Sequence, residues 1–73
     1  MRQFALTIDF DYGQLQAAYE RPDTRLLLRA EGGQLLSIPF RHLRPYVSNM
    51  GIHGRFAVEL DERNHILRFY ALP

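Results

Sequence analysis

Residues 25–40 read RLLLRAEGGQLLSIPF, two apolar runs around a Glu-Gly-Gly turn, and the register of that turn decides which side chains are buried. A two-residue Gly32-Gly33 turn would pair Glu31 with Gln34 and set Leu36 and Ile38 on the face of Arg29 and Leu27. A three-residue loop, Glu31 to Gly33 with Gly33 left-handed, instead puts Leu26, Leu28 and Ala30 on one face with Leu36, Ile38 and Phe40. The second solution gives a consistent apolar face. The stretch is therefore a hairpin with strands Arg25 to Ala30 and Gln34 to Phe40, the latter interrupted near its end by Pro39.

Upstream, Phe4, Leu6, Ile8 and Phe10 alternate with Gln3, Ala5, Thr7 and Asp9, the period of a strand with one buried face. Asp11 with Gln14 makes a weak capping box, followed by Tyr12, Leu15 and Tyr19 at helical spacing, and Pro22 ends that helix. Downstream, Leu43, Tyr46 and Val47 have helical spacing broken by Pro45, which predicts one or two turns, of α or 3₁₀ character. Ser48 to Gly54 reads as a loop. A last hairpin joins Arg55–Leu60 to His65–Leu72 through a four-residue loop, Asp61 to Asn64, which would set Val58 opposite Leu67 and Phe56 opposite Phe69.

The fold class is therefore α+β, in the order β-α-β-β-(short helical turn)-β-β: a five-stranded, mostly antiparallel sheet with one helix packed on one face. The alternative is a small closed barrel of the SH3 or Sm-like kind, because one short helix covers only part of five strands.

With 73 residues there is room for one domain, 1–73. A domain of this size buries only roughly 60% of its unfolded surface, so nearly every large apolar residue is needed for packing. The absence of cysteine removes disulfides, thiolate zinc sites and thiol nucleophiles together. The alternation of residues 1–10 argues against a signal sequence, and no run approaches a membrane span, so a soluble, cytoplasmic protein is expected.

His42, His53 and His65, 11 and 12 residues apart, match no metal-ligand motif, and Ser37 and Ser48 have no nucleophile-elbow context. The turn around Asp61 lacks the ligand spacing of a calcium loop, and the glycines fit neither a phosphate loop nor a dinucleotide fingerprint. No catalytic residue, metal or cofactor is expected, and the chain reads as a non-enzymatic interaction module.

Strand parity then defines the face not used by the core: Arg25, Leu27, Arg29, Leu35, Ser37, Arg55, Ala57, Glu59, Ile66, Arg68 and Tyr70. Arginines mixed with exposed aliphatics make an unusual solvent face, and Arg25, Leu27, Arg29, Arg55, Arg68 and Tyr70 are its candidate interaction surface. Arg41, Arg44, His53 and Arg55 form a second candidate, a basic patch in the acid-free stretch from Gly32 to Val58. The partner implied is a protein, including a second copy in a homodimer. The alternative is weak nucleic-acid binding, with arginines on phosphates and Tyr70 stacked on a base. All nine basic residues are arginine, but a formal charge of +1 does not by itself mark a nucleic-acid binder.

Leu43-Arg44-Pro45-Tyr46, Gly51-Ile52-His53-Gly54-Arg55-Phe56 and Asp61-Glu62-Arg63-Asn64 together resemble a family of short bacterial proteins classed as a domain of unknown function. The resemblance extends over almost the whole chain, including the Arg-Ala-Glu-Gly-Gly hairpin, and implies no assigned activity and no catalytic residues. Labels resembling a topoisomerase subunit occur on members of that family. In a chain with no space for strand passage they imply at most an association with DNA.

Overall fold

The alternating segment forms β1 (Arg2–Phe10), with Leu6 and Ile8 fully buried. It pairs antiparallel along its whole length with β4 (Ile52–Leu60), Leu6 opposite Phe56 and Phe4 opposite Val58. β5 (Ile66–Ala71) takes the other edge of β4, giving the order β1-β4-β5. β2 (Arg25–Arg29) and β3 (Leu35–Pro39) form a separate two-stranded antiparallel sheet. This computed structural model describes residues 1–21 and 23–73.

The α+β class and its five strands are as the sequence predicts, but they lie in two sheets rather than one, and the described strands close no barrel. The physical reason lies at the free edge of β1. There a single backbone bond, from the Glu31 N–H to the Ala5 carbonyl at 2.8 Å, joins the hairpin tip to β1, and no ladder propagates from it.

The first hairpin has the predicted three-residue loop. Gly33 is left-handed at φ 96°, its N–H bonds to the Ala30 carbonyl, and Leu28 pairs with Leu36 and Leu26 with Ile38. The second hairpin departs from the four-residue expectation. Asn64 is left-handed at φ 66° and Asp61 pairs with His65, so this loop also has three residues, Glu62 to Asn64. A bulge follows, because Leu60 pairs with Ile66 while Glu59 pairs with Arg68. Val58 consequently faces Phe69, not Leu67, and Phe56 faces Ala71, not Phe69. Two single-residue shifts cancel beyond the bulge, so Phe69 still faces the core and Arg68 and Tyr70 the other side. Between loop and bulge only one shift applies: Ile66 turns inward to pack against the core, and Leu67 is 52% exposed.

The helix α1 (Tyr12–Glu20) starts at Asp11, whose N–H donates to the Gln14 side chain at 2.8 Å. It closes with the Arg21 N–H on the Ala17 carbonyl; Pro22, predicted to end it, lies outside the described residues. The predicted short helical turn is two elements, α2 (Phe40–Leu43) and a 3₁₀ turn (Arg44–Tyr46), with Pro45 near the start of the latter, where its missing N–H costs nothing. Ser48 and Gly51 close a tight turn by reciprocal backbone bonds of 2.8 and 2.9 Å, leading straight into β4.

One core draws on every layer. Leu6, Ile8 and Val58 from the large sheet meet Leu15 and Ala18 of α1, Leu28 and Ile38 of the hairpin, and Phe40 and Leu43 of α2. Tyr46 closes one end of it, edge-on to Phe56 and Phe69 at 5.3 and 5.9 Å, while those two rings stack at 5.4 Å.

Candidate functional site

The predicted interaction surface is divided between the two sheets: Arg25, Leu27 and Arg29 lie on β2, whereas Arg55, Arg68 and Tyr70 lie on β4 and β5. Because the inner faces of the sheets share one core, their outer faces point away from each other.

On the large sheet, cross-strand register sets side chains in rows. Gln3, Glu59 and Arg68 form one row, and Ala5, Ala57 and Tyr70 the next. The two alanines leave room for the Tyr70 ring, whose hydroxyl accepts from Gln3 Nε2 at 2.6 Å and donates to Glu59 Oε2 at 3.2 Å. The Arg68 guanidinium lies 4.6 Å from the centre of that ring, with one nitrogen 3.6 Å from Glu59 Oε2. Ala57 and Glu59, expected on the solvent face, are thereby buried, with Glu59 only 7% exposed. One row further on, Arg55 opposite Thr7 grips the Glu31 carboxylate with two bonds of 2.7 and 2.9 Å. That bond lowers the proton affinity of Glu31 and raises that of Arg55. This face is therefore occupied by its own side chains.

The outer face of β2 and β3 is different. Leu27 is 72% exposed and Leu35 is 58% exposed, and the pairing of Leu27 with Ser37 and of Arg29 with Leu35 makes them diagonal neighbours. Arginines flank them and are tied to the hairpin itself. Arg25 donates from Nε to the Ser37 hydroxyl at 2.8 Å and from Nη2 to the Ser37 carbonyl at 2.9 Å; Arg29 donates to the Gly33 carbonyl at 2.8 Å.

The predicted basic patch of Arg41, Arg44, His53 and Arg55 is not one cluster. Arg44 lies 5.6 Å from the centre of the Tyr19 ring, itself stacked on Tyr12. His53 bonds through Nδ1 to the Asp9 carboxylate, its register partner, and through Nε2–H to the Met50 carbonyl at 2.6 Å. With acceptors at both nitrogens the ring favours its charged form, and its pKa is raised, first by the Met50 carbonyl and then by Asp9. Arg55 is held by Glu31. Arg41 instead faces a cleft of about 220 Å³ that Arg25, His42, Asn64 and His65 also line. The sequence singles out His42 and His65 only as metal ligands to be rejected, and it gives no local sign that β2, α2 and the β4–β5 turn meet there.

Among the described residues no group of three or more histidine, aspartate or glutamate side chains is placed to hold a metal ion, and no helix is long and apolar enough to cross a membrane. No curated protein matches the chain, and no solved structure does. The family described as "Protein of unknown function (DUF2835)" matches residues 2–72, nearly the full length and all of the elements above, and the chain belongs to that family.

Proposed function

We propose that this chain is a non-catalytic binding domain that contacts a partner protein through the outer face of β2 and β3. The observation that carries the reading is the adjacent exposure of Leu27 and Leu35, two large aliphatics left out of the core of a domain that has little apolar surface to spare. Arg25 and Arg29, already fixed by bonds to their own hairpin, frame that apolar centre as a rim that loses little further freedom on binding. A partner with an apolar centre and carboxylates around it is the complement. A second copy of the chain would match only the apolar centre, with its own arginines at the rim, and is the simplest case to measure. A cytoplasmic setting suits a chain without cysteine.

The test is light scattering over a range of concentrations, joined to cross-linking in the native cell, for the wild-type chain and for Leu27→Asp with Leu35→Asp. Self-association or a cross-linked species that the double variant loses supports the reading. A monomer at every concentration, with cross-links unchanged in the variant, sinks it.

The second reading, a weak nucleic-acid-binding module, is supported by Arg25 and Arg41, which have no carboxylate partner among the described residues. It gains nothing from Tyr70, whose ring is covered by Arg68 and whose hydroxyl is engaged. Affinity for single-stranded DNA or RNA that falls linearly with salt on logarithmic axes, with a shallower slope in Arg41→Gln, would favour it over the protein partner.

A further inference from the structure

Five polar residues line the cleft between the end of the β2–β3 hairpin, α2 and the β4–β5 turn: Arg25, Arg41, His42, Asn64 and His65. Among the described residues no carboxylate lines it. Asp61 in the turn is taken up: Oδ1 accepts the backbone N–H groups of Arg63 and His65 at 2.8 and 2.9 Å, and Oδ2 lies 3.2 Å from His65 Nδ1. That contact orients the His65 ring and leaves its Nε2 available. Ser37 fixes the Arg25 guanidinium through Nε and Nη2, leaving Nη1 available, and Arg41 has no ion-pair partner among the described residues. His42, half-buried beside both arginines, loses proton affinity first through burial and then through repulsion by Arg41 and Arg25, so the positive charge beside it is carried by the two guanidinium groups.

We propose that this cleft binds a terminal, dianionic phosphate group, free or carried by a phosphomonoester. Guanidinium forks and imidazole are the donors such a group takes, and convergence of several cations favours two negative charges over one. Size narrows the class further. At about 220 Å³ the cleft lies below the ~300–1,000 Å³ of pockets that enclose drug-sized ligands, a size that suits a phosphate group. A neighbouring recess of about 270 Å³, whose lining includes Leu35 and Ser37, shares Arg25 and Asn64 with it and leaves room beside the phosphate for a small ester group.

The cleft shares Arg25 with the rim of the Leu27–Leu35 face and its neighbouring recess reaches Leu35, so the test turns on Arg41 and His65, which that face does not use. Amide and imidazole resonances of the full chain are followed by NMR during titration with inorganic phosphate, phenyl phosphate and a dinucleotide phosphodiester, against sodium chloride at matched ionic strength. The expected result is saturable shifts at Asn64 and His65, an upward move of the His42 titration, and roughly tenfold weaker binding in Arg41→Gln and in Arg25→Gln, with Leu27→Ser unaffected. Tighter phenyl phosphate identifies a monoester as the source, and equal affinity identifies free phosphate. No saturable response beyond chloride, a response unchanged in Arg41→Gln, or a phosphodiester that binds as well as the monoester overturns the proposal.

Discussion

Gly51 and Gly33 have the same left-handed φ of 96°, yet their surroundings differ entirely. A Cβ on Gly33 would meet nothing within 4 Å, whereas one on Gly51 would sit 2.0 Å from the Phe10 carbonyl oxygen and 2.9 Å from the Asp11 backbone. Gly33→Ala should therefore cost only the backbone penalty of about 1–2 kcal/mol. Gly51→Ala must also push the tight turn off the end of β1 and should cost roughly 4 kcal/mol, the two being compared by urea unfolding. The same junction carries a titrating group. The folded pKa of His53 lies above its ordinary value of about 6.5, so its contribution is fully present below that pH and disappears as pH rises through the raised folded value. Stability measured across that window should fall with rising pH in the wild-type chain, and His53→Gln should flatten the slope.

At the scale of elements, the bulge in β5 separates what the sequence reveals from what it does not. Strand parity assigns faces only while register is unbroken. Residues Glu31 to Gly33 carry their own signal, because glycine sits where φ must be positive and the apolar residues agree on a face. Asn64 adopts the same left-handed position with a less distinctive residue, and the extra residue at Leu67 has no local sign. Parity puts Arg68 and Tyr70 on the correct face because the two shifts cancel, while it interchanges Ile66 and Leu67. Substitution distinguishes the registers directly. Leu67→Ser should change stability by less than about 0.5 kcal/mol, and Ile66→Ser should cost roughly 2 kcal/mol; a regular register requires the reverse. The basic cleft is illegible in the sequence for a related reason. Arg25, Arg41 and His65 belong to three separate segments, and their meeting depends on how the hairpin docks, which no spacing in the chain encodes.

At the scale of the whole molecule, the division into two sheets predicts a division in dynamics. The β1-β4-β5 sheet is held by continuous ladders over nine paired positions between β1 and β4. The small hairpin adds no strand to it; it is held by apolar packing, by the one backbone bond from Glu31 to Ala5, and by the fork between Glu31 and Arg55 that reaches around the edge of β1. That ion pair is exposed and contributes little to global stability. Its role is local, because it is the side-chain tether that sets the hairpin tip against the large sheet, and through the tip the angle at which Leu27 and Leu35 are presented. Glu31→Gln should leave the unfolding midpoint nearly unchanged and accelerate amide hydrogen exchange at Leu26, Leu28 and Leu36, with Leu6, Phe56 and Val58 exchanging as before. Equal acceleration in both sheets would mean that they open as one cooperative unit and that the tether does not govern the hairpin.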